Sequence, residues 1–293
     1  MDEFQVLAVI IDTFTPFWAQ QSEKSQANAD TLNYSKFCEN LLVFINSFLV
    51  LNRGNAVAVI SANESSASFV FPDPKAKQTP QNFNEISKVI KENLRLAVSV
   101  PTSSPASPVL PGSLMAGALS TALCYIEKQK RHCAALNRSC SARILALPCS
   151  PDLTPQYVHV MNTIFFAQKQ NILVDACPVG PHESLFWQQA AHLTGGIYYK
   201  PPSADLQGLL QHLLVVFLSG SSTRGMLVLP TQTTVDYRAT CFCHKKVVDK
   251  GHVCPVCLSI FCLPKLECSS CKVRFPKVPI RKVQKTSKSS SKS

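Results

Sequence analysis

Seven cysteines crowd into the segment from Cys241 to Cys271. Within it, Cys254-Pro255-Val256-Cys257 and Cys268-Ser269-Ser270-Cys271 repeat one spacing. A Cys-x-x-Cys pair folds two thiolates onto one tight turn, where both can reach a single tetrahedral ion. Two such pairs complete a closed four-sulfur site, and Zn²⁺ is the ion that donor set selects. A segment this short has too little apolar material to fold by burial alone, so seven free thiols without a metal would leave it unstructured. The expected metal ligands are Cys254, Cys257, Cys268 and Cys271. Cys241, Cys243 and Cys262 remain, with His244 or His252 as a fourth donor. They leave a second zinc open in a cross-brace of the RING kind, although the opening Cys-x-Cys departs from the usual spacing. One zinc is the preferred count.

The second residue placed for chemistry is Asp12, which ends the apolar run Val6-Leu7-Ala8-Val9-Ile10-Ile11. A run this continuous reads as a strand buried on both faces, as in parallel sheets. Further strands are expected at Ala56–Ile60, Phe69–Phe71, Arg143–Leu147, Ile172–Ala176 and Gly196–Tyr199. Helices are expected between them. One is capped by Asp30 or Thr31 and carries Leu41, Leu42, Ile45, Phe48 and Leu49 at helical spacing; one carries Ile86, Val89, Ile90 and Leu94. Others span Ser113–Lys130, Pro155–Gln170, Glu183–Leu193 and Leu206–Leu218. Alternating strands and helices define an α/β fold with a doubly wound, mainly parallel sheet. Ligands in such sheets gather outside the carboxyl ends of the strands, where Asp12, Ser113 and the Cys149-Ser150 turn should meet.

Charge divides the chain. Residues 1–218 carry fifteen basic and fifteen acidic residues, so the net charge of +11 lies in residues 219–293. The expected organisation is an α/β domain over 1–218, a linker over 219–240, a zinc module over 241–275 and a disordered basic tail over 276–293. Asp2 and Glu3 precede the first apolar run, which argues against a secretory leader. Leu41–Leu51 is too short to span a bilayer, so no membrane role is expected. Dense cysteines in a reducing compartment favour metal over disulfides. There is no Gly-rich phosphate loop, and the five histidines from His132 to His212 lack catalytic or metal spacing. Cys124 is expected in the core.

The first 218 residues resemble the von Willebrand A family through Val6–Asp12, the Gly112-Ser113-Leu114-Met115-Ala116-Gly117-Ala118-Leu119 run and Leu193–Tyr199. That resemblance implies a Rossmann-like sheet and a divalent-cation site fed by an acid, two hydroxyls, a threonine and a late acid. Asp12 matches the first acid, and Ser113 can replace the threonine. Phe14 and Pro16 stand at the hydroxyl positions, Cys149 falls near the late acid, and Asp152 lies further along. One carboxylate and one hydroxyl are a poor set for Mg²⁺, so Asp12 is expected to hold backbone N–H groups instead.

The A-type half joined to this cysteine segment resembles the family of smaller von Willebrand A-type core subunits of general transcription factor IIH. The resemblance rests on Ala167–Cys177, Gly195–Tyr199 and Val235–Cys262. It implies a nuclear, non-catalytic scaffold in a hetero-oligomer with the larger von Willebrand A-type, zinc-bearing subunit and other core subunits. It further implies roles in transcription initiation and nucleotide excision repair, while the few basic residues around the cysteines, not interleaved with aromatics, lead us to expect weak or indirect DNA contact. Two other classes stay open: a RING-like ubiquitin ligase module, and an independent nucleic-acid-binding protein using the basic final quarter.

Overall fold

The structure is a computed structural model and describes residues 4–27, 32–73, 82–99, 112–230, 239–244, 247–269 and 271–275. The chain divides into two compact units, Met1–Tyr237 and Arg238–Ser293. Asp30, Thr31, most of the Pro/Ser stretch before Gly112 and the basic tail lie outside the described residues.

The first unit contains β1 (Phe4–Asp12), α1 (Thr15–Ala27), α2 (Tyr34–Leu51), β2 (Ala56–Ala62), β3 (Ala67–Phe71) and α3 (Phe83–Ser99). These are followed by α4 (Met115–Ala135), β4 (Cys140–Leu147), α5 (Tyr157–Lys169), β5 (Leu173–Ala176), α6 (Leu185–Thr194), α7 (Leu209–His212) and α8 (Ser221–Arg224). Residues 213–217 continue α7 as a π-helical turn. The sheet order is β3-β2-β1-β4-β5, parallel throughout except for β3. The doubly wound, mainly parallel α/β sheet is therefore present.

Central placement explains why β1 is apolar from Val6 to Ile11. Leu7, Val9 and Ile11 enter one core with Phe37, Phe44 and Phe48 of α2, Ile90 of α3 and Leu209 of α7. Val6, Ala8 and Ile10 enter the opposite core with Leu119 and Ile126 of α4, Ile164 of α5 and Trp187 of α6. By length and composition α2 could cross a membrane, yet Phe37, Leu41, Phe44, Ile45 and Phe48 lie fully buried in the first core.

Several local readings change. The α2 cap is Asn33, whose side chain accepts from Lys36 N at 2.8 Å. Helix α1 was not expected; Glu64, across the β2–β3 turn, accepts from Thr15 N at 3.1 Å and caps it. The expected strand at Gly196–Tyr199 reduces to one bridge, Ala176 to Tyr198. Gly195 ends α6 at φ +73°, a conformation that glycine adopts without the Cβ clash. Cys124 is exposed on α4, and Cys133 is the buried cysteine of that helix.

The segment Ser219–Gly225 was expected to begin a polar linker, and instead it is tied into the first unit. Arg143, buried in β4, donates to the carbonyls of Phe217, Leu218 and Ser219 at 2.6, 2.9 and 2.7 Å. A cation at those three carbonyls satisfies the end of the last long helix and opposes its dipole. Burial brings Arg143 down to about 10, against the opposing pull of Asp175. Arg224 of α8 forks onto Asp175 of β5, at 2.9 Å to Oδ1 and 2.5 Å to Oδ2. Asp175 is 1% exposed and Arg224 9%. Breaking a buried pair from one side leaves an uncompensated charge and costs about 3–5 kcal/mol. Arg224→Ala is therefore expected to lower first-unit stability by that amount, and Arg224→Ala with Asp175→Leu to recover part of it. The chain's two tryptophans, Trp18 and Trp187, are buried in this unit, so urea unfolding followed by tryptophan fluorescence reads the effect. A loss below about 1 kcal/mol, the range of exposed pairs, would refute the role given to this pair.

Candidate functional site

Two places gather chemistry-bearing residues. The first lies where the sheet order reverses, between the carboxyl ends of β1 and β4. Asp12 is fully buried there. Its Oδ1 accepts from Phe14 N at 3.1 Å and from the Ser113 hydroxyl at 2.5 Å. Its Oδ2 accepts from Cys149 N at 3.0 Å, Ser150 N at 2.7 Å and Ser150 Oγ at 2.6 Å. Five donors meet a group with about four lone-pair sites, so the carboxylate is used in full by the protein. Asp12 thus joins the β1 tip, the entry to α4 and the loop after β4.

The neighbours support that junction. Gln156 accepts from Ala116 N and donates to Ser113 O, both at 3.0 Å, and so caps α4. Trp18 Nε1 donates to Asp12 O at 3.0 Å. Asp152 accepts from Ser184 Oγ and Phe186 N and so anchors the start of α6, away from Asp12. Gly180 packs so closely on Cys149 that a Cβ there would sit 2.3 Å from the Cys149 carbonyl oxygen. Burial, with the Asp12 charge beside it, pushes the Cys149 thiol well up, which removes it as a nucleophile. The cavity by Ser113, Ser150, Asp152 and Gln156 is about 20 Å³, room for one water and not for a substrate.

The second place is the cysteine unit, with β6 (Ala239–Thr240) paired to β7 (Val247–Val248) and β8 (His252–Val253) paired to β9 (Ile260–Phe261). Cys254, Cys257, Cys268 and Cys271 place their sulfurs in one cluster. Cys254 lies 3.6 Å from Cys271, and Cys257 lies 3.5 Å from Cys268. Tetrahedral Zn²⁺ with Zn–S bonds of about 2.3 Å would hold its sulfurs about 3.8 Å apart. The two knuckles share one backbone design. Leu258 N donates to Cys254 O and Lys272 N to Cys268 O, each at 2.9 Å, and Leu258 and Lys272 sit at φ +59° and +62°. Each chain reversal thus aims its pair of thiols at the partner pair.

Cys241, Cys243, His244 and Cys262 form a second cluster of four donors. His252 belongs to β8, opposite Phe261. Burial would raise the Cys241 and Cys257 thiols, yet hydrogen bonds outweigh it. Cys243 and nearby backbone N–H groups bring Cys241 to about 5, and Ser259 brings Cys257 to about 6. Cys262 is pushed up to about 11, chiefly by its hydrogen bonding to Cys241. Several sulfurs this close cannot all ionise without a cation, and a divalent ion removes that conflict.

Sequence reading found every sulfur and the Asp12–Ser113 junction. It also placed the Cys149-Ser150 turn beside Asp12, where Ser150 donates twice. It missed Gln156, whose role depends on partners in distant segments, and it missed Arg143, Asp175 and Arg224. A charged residue inside an apolar strand was the available signal for Arg143 and Asp175.

A doubly wound sheet with an acid at its switch point, followed by a unit of clustered cysteines that could hold metal ions, defines a von Willebrand A-type protein with a cysteine-rich module. The chain belongs to the Transcription factor Tfb4 family, whose profile matches residues 4–272. It is 40% identical over 270 residues to the general transcription factor IIH subunit 3 of Dictyostelium discoideum, covering 86% of this chain and 71% of that one. It is 35% identical over 280 residues to the general transcription and DNA repair factor IIH subunit TFB4 of Arabidopsis thaliana, covering 92% and 88%. Among solved structures, the TFIIH p34 N-terminal domain superposes with a TM-score of 0.63 at 27% identity, over 72% of this chain and 97% of that domain.

Asp12→Ala would orphan the buried N–H groups of Cys149 and Ser150, each costing about 1–3 kcal/mol. A total loss of about 3 kcal/mol or more is expected in the tryptophan-monitored urea midpoint. Millimolar Mg²⁺ should leave the wild-type Tm in place. A rise with Mg²⁺ concentration would mean that the ion binds the folded state, and would overturn the reading of Asp12.

Proposed function

We propose that the chain is a non-catalytic structural subunit of general transcription factor IIH. It supports transcription initiation and nucleotide excision repair by binding other subunits and carries out no reaction of its own. Family membership over nearly the whole chain carries the first part. The strand tip supports the second, because its one carboxylate is spent on holding three segments together and its cavity is too small for a substrate. The direct partner is the larger von Willebrand A-type, zinc-bearing subunit of the complex, and the chain acts in the nucleus. The cysteine unit binds Zn²⁺ through Cys254, Cys257, Cys268 and Cys271. Its basic surroundings leave DNA contact weak or indirect.

The zinc reading has a direct structural support. Among the described residues, the hydrophobic cluster of this unit is Cys254, Phe261 and Cys268, with Phe242, Cys257, Cys271 and Phe275 packed around them. So small a core cannot offset the entropy of ordering the segment, and a bound ion supplies the missing folding energy.

Purification of the tagged chain from nuclear extract in moderate salt is expected to recover the larger A-type subunit in one-to-one ratio with the other core subunits. Recovery of the chain alone as a monomer would sink the assembly reading. Chelation of the purified chain should expose the module to protease while leaving tryptophan fluorescence unchanged. A ubiquitin-discharge assay that turns over would instead favour the ligase alternative.

A further inference from the structure

We propose that Cys241, Cys243, His244 and Cys262 form a second Zn²⁺ site, of Cys₃His type, and that the β8–β9 hairpin joins it to the four-cysteine site. The inference rests on the zinc reading of the module.

The donor set is complete and converges. The sulfurs of Cys243 and Cys262 stand 3.9 Å apart, His244 Nδ1 lies 3.2 Å from Cys262 Sγ, and Cys241 Sγ lies 3.9 Å from His244 Nδ1. A tetrahedral ion with Zn–S near 2.3 Å and Zn–N near 2.0–2.1 Å would separate sulfur from nitrogen by about 3.6 Å. Cys241 and Cys243 approach to 2.9 Å, and an ion between them would spread that pair. The site is also held from outside. Phe242 N donates to Ile260 O at 2.9 Å, and Cys262 N donates to Cys241 Sγ at 3.2 Å. Thus the Cys241–His244 turn is pinned to the end of β9 by one backbone bond, and one of its sulfurs accepts the Cys262 N–H as metal-bound thiolates do.

Chain order makes the sites interleave. Three donors of the second site come first, then Cys254 and Cys257, then Cys262, then Cys268 and Cys271. The hairpin carries Cys254 and Cys257 in its turn, and Cys262 directly after β9. One hairpin therefore serves both ions, and neither loop can close without the other site being in register. Cys243 and His244 are exposed, whereas Cys254 and Cys268 are buried. The Cys₃His ion consequently faces water and is the first to be lost.

Zinc per chain, measured by mass spectrometry on the full chain, tests this. The expected values are two for wild type and one for Cys243→Ser with His244→Ala. One zinc in wild type, kept in that variant and lost in Cys254→Ser with Cys257→Ser, would overturn this site and leave the four-cysteine site standing. One zinc with the opposite pattern would support this site and refute the other. Should the double variant fail to fold, His244→Cys decides. It should keep two ions per chain, and its Co²⁺-loaded visible bands should move to longer wavelength as sulfur replaces nitrogen. Unmoved bands would overturn the proposal.

Discussion

The first unit depends on where one carboxylate sends its lone pairs. Asp12 accepts from Phe14, Ser113, Cys149 and Ser150. These belong to three segments that meet only at the switch point of the sheet. In the von Willebrand A pattern the same position collects oxygen ligands around a cation, and the ion then joins the loops. Here backbone N–H groups and two serine hydroxyls take that place. Hydrogen bonds to a charged acceptor contribute about 1.5–3 kcal/mol each, and more is lost when their donors are stranded. The loops are thus fixed permanently and not by ligand, which suits a platform whose surfaces must stay constant.

A second group of charges ties the chain's far segments to the same sheet. Arg143 and Asp175 lie on adjacent strands, yet the arginine turns to the carbonyls after Phe217 and the aspartate pairs with Arg224. Residues 217–224 are thereby stitched to β4 and β5. Ile197 N also donates to Asp175 Oδ1 at 2.8 Å, so the same acid holds the segment after α6. A buried ion pair adds little net stability against a hydrophobic replacement. Its effect here is geometric, since it sets where the last helical turn of the unit can lie.

The legible and illegible parts of the sequence divide along sequence distance. Continuous apolar runs gave away β1, β2, β4 and β5, because burial on both faces writes itself into every residue of a strand. The clustering of the two Cys-x-x-Cys pairs was readable because their spacing is local. Helix α1 was not readable, since among its described residues only Phe17 and Trp18 are buried and its cap comes from Glu64. The choice between His244 and His252 needed the fold, which pairs His252 with Phe261 in the hairpin and gathers His244 with Cys241, Cys243 and Cys262. The same limit hid Arg224, which looks like a linker residue until Asp175 is placed beside it.

The two units solve the problem of stability in opposite ways. In the first, a sheet with helices on both faces buries two large cores, and polar side chains only position loops. In the second, the apolar core among the described residues is little more than Phe261 between cysteine pairs, so the zinc proposed here would supply the missing folding energy. That explains why Leu258 and Lys272 are held in the left-handed region, a cost of about 1–2 kcal/mol for a residue with a Cβ. Four convergent donors on a bound ion, as proposed here, would outweigh that strain. The interleaving proposed here would follow from economy of chain: a hairpin with two residues on each strand carries a knuckle at its turn and Cys262 at its exit.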